Sequence, residues 1–296
     1  MWRIIDVSGE DYRLICNQDN LVVIKNEEEK LRAHLSDINT IIIHSYSINL
    51  TGVLIQKLID YNIPLIFCDR AHNPSGILLQ LFKHTEYGNR LYLQIKASKP
   101  FLKNAWQQII KAKIKNQSEV LKEFGKDRES KILLKYSYEV KSGDKTNRES
   151  VASRVYFQSL FENFNRDPDS NDMVNSSLNY SYAVLRSNIA RAIVGSGLNP
   201  AIGIFHSYKN NYFCLVDDLM EPLRPFIDRH IKQNISEIKR HKELNSEIKK
   251  LLVSIIDYNF SYNNEKMNLV NISQRYVFSY ISYLSKETKK INIPVL

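Results

Sequence analysis

NPAIGIFHSYKNNYFCLVDDLMEPLRPFID, residues 199–228, sets one histidine, His206, ahead of an acidic cluster of Asp217, Asp218 and Glu221. A polar turn, Ser207 to Asn211, and a short apolar run, Phe213 to Val216, separate them. Asn199 is placed to cap a helix with Pro200 at its first position, which brings His206 to the end of that helix. If Asp217 opens a second helix, Asp218 and Glu221 stand three residues apart on one face of its first turn. Carboxylates at a helix N-terminus are favoured by the macrodipole, and that accounts for Asp217 as a capping acid. It does not account for a second and a third carboxylate beside a histidine. Oxygen-rich sites with one imidazole suit Mg²⁺ or Mn²⁺, ions that serve phosphate chemistry. On spacing alone both readings stand.

Upstream, Leu178, Tyr182, Leu185, Ile189 and Ile193 recur at spacings of three and four, so Ser177–Val194 reads as a helix. Gly195–Ser196–Gly197 stops it. This GxG follows a helix, not a strand, and is no phosphate-binding fingerprint. Phe164 to Val174 is loop-like, and Lys141–Lys145 is a polar break before a helix that begins near Thr146. In that helix Glu149 shares a face with Ala152, Ser153 and Tyr156, which suggests a buried side. A buried carboxylate needs a partner, and Arg148 or Arg154 is the plain structural choice. Before the break, Arg90–Ala97, Pro100–Phe124 and Glu129–Tyr138 are helical patterns. Lys103, Lys111, Lys113 and Lys115 lie among Trp106, Ile109, Ile110 and Ile114, an amphipathic helix with a solvated basic face. Some of these lysines are candidates to track a phosphate backbone. From Pro225 to the end the chain reads as helical again. The tail Lys286–Leu296 reads as loosely held, and His230 and His241 sit in basic, soluble surroundings.

The first eighty-odd residues differ in character. Arg3–Val7, Tyr12–Cys16 and Leu21–Lys25 are short strand patterns divided by turn signals, with Lys30–Leu35 continuing them. Thr40–His44 is a buried-strand run, Asn49–Tyr61 has a helical period with Asn49 or Thr51 as cap, and Pro64–Asp69 returns to strand. His44 and His72 read as ordinary structural or surface histidines. The expected fold is α+β: a small β-rich domain, 1–86, followed by a larger all-α catalytic domain, 87–296.

Composition bounds the function. Of 296 residues, 43% are hydrophobic and 25% charged, ordinary for a soluble globular protein, and the net charge of +9 favours an anionic partner such as nucleic acid. Cys16, Cys68 and Cys214 form no CxxC pair, which argues against a zinc ribbon or a disulfide framework. Nothing at the N-terminus reads as a signal peptide, and no apolar run approaches membrane-spanning length, so a cytoplasmic protein with no membrane partner is expected. There is no Walker-type GxxxxGK[ST].

GLNPAIGIFHS followed by LVDDLMEPLRPFID resembles the signature of the CRISPR-associated integrase family Cas-one, in particular the branch that accompanies type II systems. SLNYSYAVLRSNIARAIVGSGLNPAIGIFH resembles the family's most typical run, and DINTIIIHSYSINLTGVLIQKLIDYNIPLIFCDRAHNPSGILL its N-terminal β-domain. The resemblance runs over essentially the whole chain. It implies that the β-domain pairs two subunits into a homodimer and carries no catalytic residue. It implies a metal site for Mg²⁺ or Mn²⁺ made by Glu149, His206 and Glu221, with Asp218 as a fourth, close acidic group. Many members read Glu-Gly where this chain has Glu149–Ser150.

The implied reaction is joining of a DNA 3′-hydroxyl to the repeat by transesterification, which acquires new spacers and needs no ATP. The implied partners are double-stranded DNA, a small companion subunit, Cas-two, and, in type II systems, the effector nuclease and a DNA-clamping protein. Arg154, Arg186 and Arg224 are candidates for phosphate contacts by their proximity to the motifs, and equally for structural ion pairs. Two other readings use the same features: a metal-dependent, structure-specific DNA endonuclease, with water in place of the 3′-hydroxyl, and a non-enzymatic DNA-binding scaffold.

Overall fold

The computed structural model describes residues 3–68, 74–80, 84–162, 164–170 and 172–296. These form two compact units, Met1–His84 and Thr85–Leu296. His72 lies outside the described residues.

The first unit contains β1 (Arg3–Val7), β2 (Tyr12–Asn17), β3 (Asn20–Lys25), β4 (Glu28–His34), β5 (Ile38–Ile43), β6 (Ile48–Leu50), α1 (Gly52–Asp60), β7 (Leu65–Cys68) and β8 (Pro74–Leu78). One sheet has the order β1-β5-β7-β8, the other β4-β3-β2-β6. Every residue of β5 is buried, as expected of a β-branched run held between two parallel neighbours, β1 and β7. The turns Gln18–Asp19 and Asn26–Glu27 join successive antiparallel strands. Both residues of each have positive φ, the backbone that matches the twist of a two-residue hairpin. Thr51, one of the two expected caps, accepts a hydrogen bond from Leu54 N at 3.3 Å, and Leu54 and Leu58 carry α1 into the core with Leu14, Leu21 and Ile41. Asn49 instead belongs to β6, a strand too short to stand out from its own residues and created by pairing with β2. His44 is buried, with its Nε2 3.2 Å from Asp6 Oδ2, an acidic partner that the β1–β5 pairing supplies.

The second unit is built on α2 (Tyr87–Lys96), α3 (Lys99–Glu123), α4 (Asp127–Glu139), α5 (Arg148–Leu160), α6 (Met173–Gly195), α7 (Cys214–Met220), α8 (Arg224–Gln233), α9 (Ile235–Ile238), α10 (Ser246–Val253), β9 (Asn259–Tyr262), β10 (Glu265–Asn268) and α11 (Leu269–Leu284). The long α3 packs against α4, α5, α7 and α8, while α6 packs against α7, α8, α10 and α11. These two helices frame the region between Glu149 and Glu221. Asp172 caps α6 through hydrogen bonds from Val174 N and Asn175 N, four residues earlier than the apolar period alone suggests.

Four expectations are corrected here. The helical unit is not all-α, because β9 and β10 form a hairpin whose turn, Asn263–Asn264, again has positive φ at both residues. The chain after Pro225 is therefore not continuously helical. Residues 199–203 form a turn, not a helix: Asn199 Oδ1 accepts from Ala201 N at 2.9 Å. The tail is tied down, since Ile291 is buried, Ile291 N donates to Gln108 Oε1 at 2.9 Å and Leu296 N to Asn116 Oδ1 at 3.1 Å. His230 is buried and pairs through Nε2 with the Leu251 carbonyl at 2.8 Å; burial pushes its pKa down, so it sits there as a neutral donor.

Candidate active site

Glu149 enters from the first turn of α5. A single 3₁₀ turn, Ser142–Asp144, precedes it, and the Asp144 carboxylate accepts from Arg148 N at 2.9 Å and Glu149 N at 3.0 Å. Asp144 thereby satisfies two of the helix's orphan amides and fixes where Glu149 begins. Neither arginine expected to pair with Glu149 does so. Arg148 reaches Glu139 at 2.7 Å, and Arg154 is exposed. The partner is Lys113 of α3, whose Nζ lies 2.7 Å from Glu149 Oε1 and 2.5 Å from Glu221 Oε2. Lys113 is thus not part of a solvated basic face. It is 7% exposed and Glu221 6% exposed, and ions this deep persist only when paired.

Glu221 lies in the short turn Glu221–Leu223 that links α7 to α8. Its Oε1 accepts from Arg224 Nε at 2.8 Å, whereas its Oε2 lies 2.5 Å from the Lys113 ammonium. Burial alone would raise the Glu221 carboxyl, but Arg224 and Lys113 outweigh it and hold it well below the usual range. Burial would likewise lower Lys113, and Glu221 and Glu149 reverse that, so the net shift is upward.

His206 sits on the loop between α6 and α7, and Asp218 organises that loop. The Asp218 carboxylate accepts from Ile204 N at 2.6 Å, Phe205 N at 2.9 Å and His206 N at 3.3 Å, and it contacts His206 Nδ1 at 2.5 Å. Helix α7 starts at Cys214, not at Asp217, so Asp218 sits in its interior, fully buried, and its side chain returns to the loop. Gly203 permits this closure. A Cβ there would stand 2.2 Å from the His206 carbonyl oxygen and 2.9 Å from Asp218 Oδ2. Trp106 stacks on Phe205 with ring centroids 4.5 Å apart and meets His206 edge-on at 5.7 Å. The Asp218 hydrogen bond pushes His206 up, and burial pushes Asp218 up against its hydrogen bonds. Glu221 and Glu149 also act electrostatically on His206, so the three expected ligands converge on one region.

That convergence is looser than a closed coordination shell. Among the described residues no three His, Cys, Asp or Glu side chains surround a common point. Two of them, Glu149 and Glu221, both reach the Lys113 ammonium. Two carboxylates and one imidazole are the donor types for Mg²⁺ or Mn²⁺, so the residues present fit such an ion. Arg186 and Arg224 are both engaged in ion pairs, Arg186 with Asp217 at 2.7 Å and Arg224 with Glu221. Asp217 accepts these bonds within α7 and does not open a helix.

A cavity of about 190 Å³ is lined by Glu221 and Lys113, with Arg166, Tyr182, Arg224 and Asp228 among its other residues. Asp228 accepts a hydrogen bond from the Tyr182 hydroxyl and is pushed up to about 7 by burial.

Sequence reasoning does not find Lys113, Asp144, Gly203 or Asp228. For Lys113 a signal exists: it follows Trp106 by seven residues, Ile109 by four and Ile110 by three, which places it on the apolar face of α3. The others depend on contacts between segments and leave no local mark.

Comparison with known proteins places the chain in a family. Residues 5–250 match the family model described as CRISPR associated protein Cas1. A CRISPR-associated endonuclease Cas1 from Neisseria meningitidis serogroup C (strain 8013) is 34% identical over 279 residues, 94% of this chain and 91% of the relative. Among solved structures, a casposase bound to integration product superposes with a TM-score of 0.81 at 20% identity, covering 98% of this chain and 92% of that one. A Cas6-RT-Cas1–Cas2 complex superposes with a TM-score of 0.79 at 17% identity, covering 99% of this chain and 36% of that chain. At these identities the two structures speak for the fold alone.

Proposed function

The chain belongs to the CRISPR-associated Cas1 family, and from that premise we propose that it is a divalent-metal-dependent DNA integrase that joins prespacer 3′-hydroxyl ends to a CRISPR repeat. The observation that carries this reading is the carboxylate pair of half-buried Glu149 and buried Glu221, sharing the Lys113 ammonium and acting electrostatically on His206. Glu149, Glu221 and His206 would hold Mg²⁺ or Mn²⁺. When bound, such an ion supplies neutralisation of charge on the attacked phosphodiester and a lower pKa for the attacking hydroxyl.

The chain's own residues do the rest. Asp218 holds His206 through Nδ1, which leaves Nε2 to ligate the ion or to donate to a phosphoryl oxygen. Asp144 holds Glu149 at the start of its helix. The attacking 3′-oxygen forms a bond to phosphorus as the 3′-oxygen of the repeat strand leaves. One phosphodiester replaces another, so no nucleotide is consumed. Phe205 and Tyr208 are exposed beside His206, with ring centroids 5.5 and 5.9 Å from its ring, aromatic surface of the kind on which unpaired bases stack. The net charge of +9 fits a duplex DNA partner.

We extend the proposal to a homodimer formed through the β-rich unit, to assembly with a Cas2-type companion and, as a type II branch member, with the effector nuclease and a DNA-clamping protein. A hydrolytic endonuclease is the second reading, favoured by the name of the 34%-identical relative.

The test is a strand-transfer assay with a labelled duplex, a repeat-containing target, Mg²⁺ or Mn²⁺, and the companion subunit present or absent. Joined products from the native chain, lost in Glu149→Gln and His206→Ala, are the expected result. Cleavage without joining would select the endonuclease. DNA binding with no metal-dependent product would leave a scaffold.

A further inference from the structure

The proposed reaction assigns no part to Lys113, although it touches both carboxylates. Its ammonium lies 2.7 Å from Glu149 Oε1 and 2.5 Å from Glu221 Oε2, two groups delivered by separate elements, α5 and the turn after α7. The position between those oxygens is the one an ion shared by both carboxylates takes. An ammonium and a divalent ion cannot occupy it together, since two cations a few ångströms apart with little water between them repel strongly. Without any cation there, two carboxylates would face each other in a buried site, which is comparably unfavourable.

We propose that Lys113 is the resident cation of the Glu149–Glu221 pair, that it keeps the site charge-balanced until a divalent ion displaces it, and that its second position is the adjoining cavity beside Asp228. This rests on the metal-dependent reading above. The cavity, about 190 Å³, is lined by both Lys113 and Glu221, so it adjoins the place the ammonium would leave. Asp228 already lies within electrostatic reach of Lys113 and offers a carboxylate to receive it. Arg166 and Arg224 line the same cavity, so the displaced ammonium joins two other cations there. Displacement therefore opposes metal binding, and the opposition disappears with the charge. Lys113 is on this account a positioning residue whose effect is read in metal affinity.

The experiment is Mn²⁺ binding to the DNA-free full chain, followed by calorimetry and by the loss of the free-ion EPR signal. Lys113→Met and Lys113→Gln are compared with the native chain; the second variant guards against a folding failure of the first. The expected result is Mn²⁺ affinity about tenfold higher in either variant. The metal-free variants should also melt lower than the native chain and recover more on adding Mn²⁺. A crystal structure of the native chain with Mn²⁺ gives an independent reading that needs no variant: the ion between Glu149 and Glu221, and Nζ of Lys113 in the cavity. Equal affinity in all three proteins, or Mn²⁺ bound with Lys113 still between the carboxylates, overturns this proposal and leaves the metal-dependent reading intact. No Mn²⁺ binding by any of the three proteins overturns both.

Discussion

In the N-terminal unit His44 Nε2 lies 3.2 Å from Asp6 Oδ2, and in the helical unit His206 Nδ1 lies 2.5 Å from Asp218 Oδ1. As pairs they are chemically alike. His44 follows directly on β5, Asp6 lies on the neighbouring strand β1, and the contact follows from a parallel register that the core already dictates. His206 sits on a loop that three backbone amides bend around one buried carboxylate, with two further carboxylates acting on its ring. A histidine–aspartate contact is thus not what marks a candidate site. The mark is convergence of charges from unrelated elements at a cost in burial that packing alone would avoid.

If that convergence is the real difference, removing a charge should hurt far more around His206 than around His44. The largest effect is expected for Glu221→Ala, which takes the carboxylate from Arg224 and leaves buried Lys113 with Glu149 alone. It should lose roughly 3–5 kcal/mol in urea unfolding and abolish strand joining.

Next is Asp228, whose carboxyl is pushed up to about 7 in the folded chain against 3.8 as the ordinary value. Between about pH 4 and 7 the folded state holds a proton that the unfolded state has released. Stability from this group therefore falls as pH rises through that window, and the loss is complete above it. Asp228→Asn should flatten that fall and raise stability at pH 8 by about 2–3 kcal/mol, the lost strength of the Tyr182 hydrogen bond included. Unfolding curves at pH 5 and pH 8 decide it; a slope unchanged by the substitution would show that Asp228 does not carry it.

A smaller change tests the loop alone. Gly203→Ala drives a methyl into the His206 carbonyl and Asp218 and should cost about 1–3 kcal/mol. It should also loosen the Asp218–His206 bond, so the His206 pKa, followed by NMR, should fall toward its ordinary value. A His206 titration unchanged in this variant would mean that the loop does not hold the pair. The smallest effect is expected on the other side of the comparison: Asp6→Asn should change stability by no more than about 1 kcal/mol and leave strand joining as it was. Loss of joining in that variant would erase the distinction between the two pairs.

Much of this molecule is readable from its residues alone. The strand at Arg3–Val7, the buried run at Ile38–Ile43, the cap at Thr51, and α3 and α6 each follow from local period, caps and turn residues. Glu149, His206 and Glu221 are legible through motif resemblance, and the fold brings them to one region. The β9–β10 hairpin escapes such a reading because strands of four residues between helices carry too little pattern. The tail reads as loose although it is held, because its anchors, Gln108 and Asn116, lie on α3 more than 170 residues away in sequence.

The sequence by itself determined most of the longer helices and strands, that the first unit differs from the second, and which three ligand-type residues to watch. Those properties are local, set by neighbours within a turn or a strand. Only the tertiary structure decided that Lys113 faces two carboxylates, that Asp218 returns to organise the His206 loop, and that Gly203 leaves room for it. Each of these is a contact between elements that share no local pattern, and its free energy comes from burying charge and excluding water where those elements meet.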